Sequence, residues 1–527
     1  MSNDFRVFRA AILVAALAAT ALVGCVPTAT RGQGGNPDVR IGGGEPLRWD
    51  PAAAGDSGSA NTIAQVFEGL TAFDVNSNVQ PALADTWLAS DDGRQITFHL
   101  RPGIRYSDGS PIAAQDVVDS WLRLIDPQAP SPLASLLDDV VGAVDYRRGA
   151  ADAGAVGLRA DGENVIVDLR RPATYFISVT ASPSLAVVPP SMFGRLDAGP
   201  PADIVVSGAY LPSIPSSEYI RLTGNPNYWA GLPPLGVVDL VVDYGNRTAI
   251  AAFDDNAVDY TGVSGADASW IAYDANLGPQ LRRTQDFNVS YYGFDTTVAP
   301  FDRSEVRLAF AKAVDWDRIV RLAGSIPATS MVPIGVPGRD DSEHRPSYDP
   351  DAARDLLSQA GFPAGQNFPP VLLATYGVGF EETVAAELEA NLGVRVDVEV
   401  LDFSEYISRG HGPGSPGMWT LSWSADYPHP HDFLGLLLES GSSSNDGQWS
   451  NAEYDALLGQ AAATADLAEQ ADIYAQAQEI LEVEAPVVPL AYGESWALSR
   501  EGLLGAAENG VGIIRIAGLD WAEGSGR

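Results

Sequence analysis

The sequence predicts an α/β protein, because strand-like stretches alternate with stretches of helical spacing through its second half. Residues 288–294 have the pattern of an extended strand, and residues 305–314 carry apolar side chains at helical spacing. Residues 419–423 are again strand-like, and a helical pair opens at residues 450–451 and closes at Pro486. Such alternation is typical of α/β folds. With 527 residues, 46% of them hydrophobic, the chain can bury a large core.

The stretch from residue 84 to residue 127 predicts a hairpin, a turn and a helix, in that order. Residues 91–93 (Asp-Asp-Gly) form a turn signal, and residues 95–100 alternate polar and apolar side chains as a half-buried strand does. Residues 107–109 (Ser-Asp-Gly) turn the chain again. Residues 113–125 carry apolar side chains at helical spacing, and the proline that ends the stretch stops this helix.

Further elements are marked by their ends. Residues 206–229 predict two strands that are joined by a Pro/Ser loop. Asp315 begins a helix with an acidic N-cap. Asp349 is an N-cap that is followed by Pro350 at the first helical position, and Gly361 ends that helix.

The order of residues in the 84–127 stretch closely resembles a signature of the extracellular solute-binding proteins of the dipeptide, oligopeptide and nickel class. These proteins deliver ligands to ABC importers. The shared features are Trp, Asp-Gly, Thr-Phe, Leu-Arg-x-Gly, Ser-Asp-Gly, Asp-Val-Val and Ser-Trp, in this order. Residues 65–70 resemble the family's first helix, and residues 206–229 resemble a second family stretch. The resemblance covers nearly all of the mature chain, that is, the chain without the signal peptide described below.

The resemblance implies a two-lobed periplasmic-binding-protein fold, with a hinge and with an extra subdomain in lobe I. The chain is expected to cross between the two lobes twice. By this resemblance the chain divides into lobe I (residues 39–74, 191–290 and 494–527), the subdomain of lobe I (residues 75–190) and lobe II (residues 291–493).

The chain is strongly acidic, with a formal net charge of −36 and a sequence pI of about 4.3. Such a chain is repelled by nucleic acid and by anionic lipid headgroups, so we expect no nucleic-acid partner. The charge is typical of a solvated acidic surface. The alternative interpretation is an electrostatic field that favours cationic ligands.

The first 24 residues resemble a lipoprotein signal peptide. Two arginines precede a run of apolar or small residues, 10–23. This run is too short for a membrane span, which needs about 20 apolar residues. Leu-Val-Gly before Cys25 resembles a lipobox, so Cys25 is the expected lipidation site. Residues 25–38 are then a flexible tether, because they are rich in glycine and polar residues. Cys25 is the only cysteine, which excludes an intrachain disulfide.

The sequence contains no catalytic motif of the types HExxH, GxSxG or P-loop. Residues 412–417 match the letters of the dinucleotide-binding fingerprint, but their prolines prevent a helix from beginning there. This segment is therefore interpreted as a loop. We expect a binding protein that is not an enzyme and that holds no cofactor.

The segment around Asp426 is the predicted ligand site. In peptide-binding members of the family, the Asp of a W-x-x-D-Y-type segment pairs with the α-ammonium of the peptide. The match falls on Trp423, Ser424, Ala425, Asp426 and Tyr427. An ammonium that leaves water needs an anionic partner, or the cost of desolvation dominates. We predict that Asp426 is this partner; an Asp that caps a turn is the alternative.

A metal site is the rival interpretation of the same segment. His411, His429 and His431 lie in the sequence near Asp426 and Asp432. Imidazole and carboxylate suit nickel, zinc or copper, and nickel carriers occur in the family. If they bind no metal, His429 and His431 are expected in an exposed turn, where the neighbouring prolines hold the two imidazoles in an extended run.

One departure from the family affects the ligand. Many oligopeptide binders have a tyrosine shortly after the Asp-Pro that ends the helix near residue 127. Here the corresponding residues 131–136 read SPLASL and contain no tyrosine. The sequence also offers no arginine or histidine that can be assigned to a peptide C-terminus.

The resemblance implies a receptor that is anchored by lipid to the outer face of the cell membrane. It is expected to bind di- or oligopeptides by hinge closure, as a monomer, and to deliver them to the permease subunits of an ABC importer. Two alternatives stay open: a receptor for a metal chelate of the nickel type, and a cell-envelope lipoprotein of the same fold with a regulatory or lipid-binding role. An aliphatic, acid-poor cleft would favour the last.

Overall fold

The structure is a computed structural model that describes residues 37–525, except 197–198, 378, 410–416 and 443. The predicted signal peptide, Cys25 and most of the tether lie outside the described residues, as do His411 and most of the 412–417 loop. Within the described residues, no helix combines the length and the apolar character that a membrane span requires.

The strands range from two-residue pairs to two long strands in the middle of a large sheet. In chain order they are β1 (Val39–Gly42), β2 (Thr71–Phe73), β3 (Val79–Pro81), β4 (Ala84–Ala89), β5 (Gln95–Leu100), β6 (Leu158–Asp161), β7 (Asn164–Asp168), β8 (Tyr210–Ser213), β9 (Tyr219–Gly224), β10 (Val237–Val241), β11 (Tyr260–Val263), β12 (Leu281–Phe294), β13 (Ile326–Pro327), β14 (Val371–Thr375), β15 (Val396–Val400), β16 (Met418–Ser424), β17 (Val487–Ser499), β18 (Leu503–Leu504) and β19 (Asp520–Trp521).

The α-helices alternate with these strands. In chain order they are α1 (Ser57–Val66), α2 (Ala114–Leu124), α3 (Ala143–Arg147), α4 (Phe176–Val179), α5 (Ala249–Asp254), α6 (Gly265–Ile271), α7 (Ser304–Lys312), α8 (Trp316–Leu322), α9 (Pro350–Gln359), α10 (Glu381–Leu392), α11 (Phe403–Arg409), α12 (Pro430–Leu438), α13 (Ala452–Ala463) and α14 (Leu467–Glu484).

One large mixed sheet runs through the molecule in the order β15-β14-β16-β12-β17-β11-β1-β10-β9-β8, with β13 paired to β17. A separate four-stranded antiparallel sheet has the order β4-β5-β7-β6. We call the part built on β1 and β8–β11 lobe I, the part built on β14–β16 lobe II, and the part built on the four-stranded sheet the subdomain.

The two long strands connect the lobes. Residues 281–285 of β12 pair with residues 494–498 of β17, on the side of lobe I. After a register shift, residues 289–293 pair with residues 487–492 on the side of lobe II. In lobe I, β17 also pairs with β11, and in lobe II β12 also pairs with β16. The chain thus crosses between the lobes in two adjacent strands.

The core of lobe II covers both faces of its sheet, because neighbouring residues of a strand point to opposite faces. Tyr292 and Met418 belong to a cluster on one face, and Tyr291 and Trp419 belong to a cluster on the other face. The core of the subdomain also takes in Tyr427 and Ala462 of lobe II. In this core Trp121 of α2 is fully buried and donates its Nε1–H to the carbonyl of Leu185 at 2.9 Å. The subdomain and lobe II are therefore packed against each other.

Several local predictions are confirmed. Strand β5 has the predicted limits, and α2 lies within residues 113–125. The carboxylate of Asp315 accepts a hydrogen bond from the backbone N–H of Arg318 at 3.1 Å, and that of Asp349 accepts one from Ala352 at 3.0 Å, as N-caps do. The predicted two-lobed α/β architecture with a subdomain is also present. The residue limits assigned to the lobes stay predictions.

Candidate ligand-binding cleft

A cleft of about 400 Å³ lies between the subdomain and lobe II. Its volume is in the range of small-molecule sites, which are about 300–1,000 Å³. The subdomain contributes polar and apolar side chains, among them those of Leu136, Asp139, Arg148, Arg171 and Tyr175. Lobe II contributes Trp423, Asp426, Tyr427, Leu436 and Glu439. The wall residues Ser135 and Leu136 belong to residues 131–136, where the family resemblance implies a tyrosine, so this departure lies at the cleft itself.

Local structure positions Asp426 at the end of a strand. Strand β16 ends at Ser424, and α12 begins at Pro430, whose fixed φ suits the first helical position. The turn between them is attached to the crossover strand, because the backbone N–H of Ala425 donates to the carbonyl of Phe287 at 2.8 Å. Asp426 follows directly and lines the cleft. This is the position predicted for an acid that follows a buried strand.

The carboxyl group of Asp426 is half-buried and has no hydrogen-bond or ion-pair partner among the residues that the structure describes. Burial raises its pKa to about 6. The neighbouring Asp432 is fully buried; its Oδ2 accepts hydrogen bonds from Nε1 of Trp423 at 2.8 Å and from the backbone N–H of Asp426 at 3.3 Å. Burial, together with the charge of Asp426, raises the pKa of Asp432 well above its ordinary value. The turn therefore places at the cleft a carboxyl without a described partner, beside a second carboxyl whose burial favours the protonated form.

The other predicted site residues divide into two groups. Trp423 and Tyr427 line the cleft beside Asp426. Ser424 and Ala425 do not belong to its lining: Ser424 is exposed and accepts a hydrogen bond from Nδ2 of Asn288 at 2.9 Å, and Ala425 holds the turn through its backbone. As ligand contacts, all five residues stay predictions.

The expectation of an exposed His429–His431 turn is wrong. Both side chains are buried, with 7% and 2% of their surface exposed, because they begin helix α12 against the subdomain. His429 Nε2 is 2.9 Å from Oε1 of Gln470, and its Nδ1 accepts the backbone N–H of His431 at 3.1 Å. His431 Nδ1 is 2.8 Å from the hydroxyl of Tyr427, and its ring stacks on Tyr175 with centroids 3.6 Å apart.

These surroundings keep both imidazoles neutral. Burial lowers the pKa of His429 to about 4, and burial with the nearby Arg171 charge lowers that of His431 well below its usual value. The nitrogens of the two rings are engaged with different partners, Gln470 for His429 and Tyr427 for His431. The described residues include no group of three or more His, Cys, Asp or Glu side chains that could hold a metal ion. The geometry therefore gives no support to the nickel-type alternative.

A polar network joins the two walls of the cleft. Arg171 of the subdomain donates from Nη1 to both carboxylate oxygens of Glu439 in lobe II at 2.7 Å, and from Nε to Asp139 at 2.8 Å. Asp139 also accepts a hydrogen bond from the hydroxyl of Tyr175. Burial alone would raise the pKa of Asp139, but Arg171 and Tyr175 outweigh it and hold that pKa below its ordinary value. Subdomain and lobe II are thus in direct contact at one edge of the cleft.

Sequence reasoning missed the subdomain wall. Its charged residues Asp139, Arg148 and Arg171 come from separate turns and helix ends, and no motif connects them. The available signal was the pair Arg170-Arg171 just after strand β7, since charged residues at a strand end often lie at a sheet edge. That signal does not show that these arginines lie across the cleft from lobe II.

Two α/β lobes, a crossover in adjacent strands and a charged cleft define the class of two-lobed solute-binding proteins. The chain belongs to the family "Bacterial extracellular solute-binding proteins, family 5 Middle", whose model matches residues 78–445. The family name describes binding proteins and not enzymes.

Individual proteins agree with this assignment. The chain is 31% identical to the probable deoxycholate-binding periplasmic protein YgiS of Escherichia coli K12, over 85% of this chain and 86% of that protein. It is 29% identical to the periplasmic oligopeptide-binding protein OppA of Salmonella typhimurium LT2, over 92% of each chain. The unliganded open form of the murein tripeptide-binding protein MppA is similar in structure, with a TM-score of 0.78, 25% identity and coverage of 92% of this chain and 99% of that one.

Proposed function

We propose that this chain is a lipid-anchored receptor that binds peptides in the cleft between the subdomain and lobe II. Hinge closure at the crossover then captures the peptide, and the closed form delivers it to the permease of an ABC importer. One observation carries the peptide assignment: the Asp426 carboxylate faces the cleft, and it has no partner among the described residues.

A peptide ammonium fits this position physically. The half-buried Asp426 loses hydration without gaining a protein donor, which is why its pKa rises to about 6. An entering ammonium would supply the missing positive charge and the donors together. Asp432 behind it accepts hydrogen bonds from Trp423 and from the backbone of Asp426, and an entering cation would favour the ionised form of both carboxyls. An anionic or purely apolar ligand would leave the Asp426 carboxyl without such a partner.

The anchor and the delivery step rest on the sequence. The apolar run of residues 10–23 before Cys25 supports export and lipidation, and the first described strand begins at Val39, after the proposed tether. Membership of an extracellular solute-binding family supports a role outside the cytoplasm and a membrane permease as the partner. The cleft is not acid-poor, since Asp139, Asp426 and Glu439 line it, which supports the receptor role over the lipid-binding one.

The first test uses alanine peptides of two to five residues and isothermal titration calorimetry. Removing one partner of a buried, hydrogen-bonded charge pair typically costs about 2–5 kcal/mol, or about one and a half to four decades of affinity. We expect Asp426→Asn to weaken binding by this order while the fold is kept. N-acetylation of the peptide should cost the wild type a similar amount, but it should cost the variant little more.

Asp472→Asn is the matched control, since it removes an exposed carboxylate of lobe II outside the cleft. It should bind like the wild type. Additive losses from Asp426→Asn and N-acetylation would show that Asp426 does not meet the ammonium.

An amphipathic carboxylic acid is a second candidate ligand. The relative YgiS is described as a probable deoxycholate-binding protein, and apolar side chains such as Leu136, Phe176 and Leu436 line the cleft near its arginines. A bile acid has a carboxylate but no ammonium, so its binding should be unaffected or improved by Asp426→Asn. Tight deoxycholate binding with this pattern, and no binding of alanine peptides, would replace the peptide assignment.

A further inference from the structure

Two residues of the cleft lining are held by one buried carboxyl group. The indole Nε1–H of Trp423 and the backbone N–H of Asp426 both donate to Oδ2 of Asp432, at 2.8 Å and 3.3 Å. Trp423 and Asp426 line the cleft, whereas Asp432 does not belong to the lining. The side chain of Asp432 is fully buried. It therefore influences a ligand only through the groups that surround it.

Asp432 is itself fixed by helix α12. It lies in the first turn of this helix, and its backbone N–H donates to the carbonyl of the N-cap residue His429 at 3.0 Å. The turn before the helix has a second attachment, from the backbone N–H of Ala425 to the carbonyl of Phe287 at 2.8 Å. Asp426 thus lies between an attachment to the crossover strand and an attachment to α12. Loss of the attachment to α12 would free the Asp426 carboxyl to turn away from its present position.

The protonation of Asp432 suits an acceptor rather than a second charge. Burial, together with the charge of Asp426, raises the pKa of Asp432 well above its ordinary value. Oδ1 of Asp432 is buried and has no hydrogen-bond partner among the described residues, so this oxygen can carry the proton. A neutral carboxyl group still accepts hydrogen bonds through its other oxygen. The bonds to Trp423 and Asp426 therefore do not require a charge on Asp432.

We propose that Asp432 is the positioning residue of this site, and that it holds the Asp426 carboxyl and the Trp423 indole against one ligand ammonium. The inference rests on the proposed function and deepens it, because it traces the preference for a free ammonium to a residue that the ligand does not touch. An ammonium that leaves water needs its carboxylate at hydrogen-bond distance, so a small rotation of the turn costs affinity. The indole face adds a cation–π contact to such a group.

The test compares free and N-acetylated alanine peptides by calorimetry at about pH 7.5, where Asp426 is ionised. Asp432→Leu keeps a similar volume but has no acceptor, and we expect it to weaken free peptides about tenfold, because two hydrogen bonds are lost. N-acetylated peptides should lose less than about twofold, since they present no ammonium to be positioned. Asp432→Asn keeps an acceptor oxygen and should bind free peptides within about threefold of the wild type.

Asp295 provides a matched control. It is also a fully buried aspartate of lobe II outside the cleft lining, and it accepts hydrogen bonds from the backbone N–H and the hydroxyl of Thr297 at 2.9 Å and 2.6 Å. Asp295→Leu should lower the Tm as Asp432→Leu does, but it should keep the full preference for free peptides. If Asp432→Leu does not fold, Asp432→Ser, whose shorter side chain removes the shared acceptor, is measured in its place.

The outcomes separate this inference from the proposed function. If Asp432→Leu weakens free and N-acetylated peptides equally, Asp432 only stabilises the fold and the inference is wrong. If Asp432→Asn loses as much affinity as Asp432→Leu, the charge of Asp432 is required and the positioning role is wrong. If Asp432→Leu keeps the full preference and Asp426→Asn abolishes it, the ammonium site stands without Asp432. If the wild type does not prefer free peptides, the proposed function fails together with this inference.

Discussion

At the scale of single residues, the proposed ligand binding and the binding of a proton both involve the carboxyl group of Asp426. Its pKa of about 6 is raised from the ordinary value of 3.8 by burial, and Asp432 lies next to it in the same turn. A proton and the proposed ligand ammonium would therefore compete for one carboxylate. Since the pKa lies close to neutral pH, this competition falls in a range that is easy to measure.

Peptide affinity should fall as the pH is lowered through about 6. Above this pH Asp426 is ionised in the empty cleft, and below it a proton must leave before the ammonium binds, so about one decade of affinity is lost between pH 7.5 and pH 5. Calorimetry of the best alanine peptide across this range measures the slope. Asp426→Asn should show a flat profile over the same interval. A flat profile in the wild type would mean that the ammonium does not meet this carboxylate.

At the scale of elements, the crossover strands couple the lobes to the site. The pairing of β12 and β17 is interrupted between residues 285 and 289, where the register shifts. Gly493 lies there because a Cβ at this position would come within 3.0 Å of the Cβ of Asn288. The backbone hydrogen bond from Ala425 to the carbonyl of Phe287 lies in the same interrupted segment. An irregularity shared by two adjacent strands is where backbone dihedrals can change at least cost, so it is the expected hinge.

Closure about this hinge should make the protein more compact. A compact chain of this length has a radius of gyration of about 24 Å, and we expect saturation with the best alanine peptide to lower it by on the order of 1 Å. Small-angle scattering measures the change, and Asp426→Asn at the same peptide concentration is the control. An unchanged radius at saturation with several peptides would count against a hinge mechanism.

The contact between subdomain and lobe II constrains this motion. Tyr175 is stacked on His431, and Thr174 accepts a hydrogen bond from Nε2 of Gln470 at 3.1 Å. Both contacts are buried or half-buried, so separating the subdomain from lobe II would break them and would cost free energy. We infer that the subdomain and lobe II keep this edge together while the remaining cleft opens and closes.

At the scale of the whole molecule, net charge and the proposed lipid anchor bear on where the protein works. The net charge of −36 opposes adsorption to anionic membranes, so attachment to a membrane needs a covalent anchor. Each buried methylene of an acyl chain contributes about 0.8 kcal/mol of membrane affinity. The acylated residue proposed here is Cys25, the only cysteine of the chain.

Cys25→Ser should release the protein from membranes or block processing of the signal peptide. Fractionation of cells and intact mass of the mature N-terminus measure both outcomes. Thr30→Ser, in the proposed tether, should stay membrane-bound and normally cleaved. A Cys25→Ser protein that behaves in the same way would refute the lipoprotein assignment.

Local signals in the chain were sufficient for the single elements and, through resemblance, for the fold. The caps Asp315 and Asp349 and the break after Ser424 are short-range features, since the groups that form them lie within a few residues of one another. The strand of residues 95–100 shows its alternation locally, although it pairs with the distant β7. The position of Asp426 at the end of a strand follows from the same kind of signal.

Tertiary structure alone decided which side chains share the cleft with Asp426. Arg171 and Glu439 are separated by 268 positions, and no local pattern predicts that their side chains meet. The same packing buried His431 under Tyr175, although Pro428 and Pro430 in this segment indicated an exposed turn. Burial and charge compensation depend on which distant surfaces come together, so the pairing of Arg171 with Asp139 and Glu439 became visible only when these residues were in place.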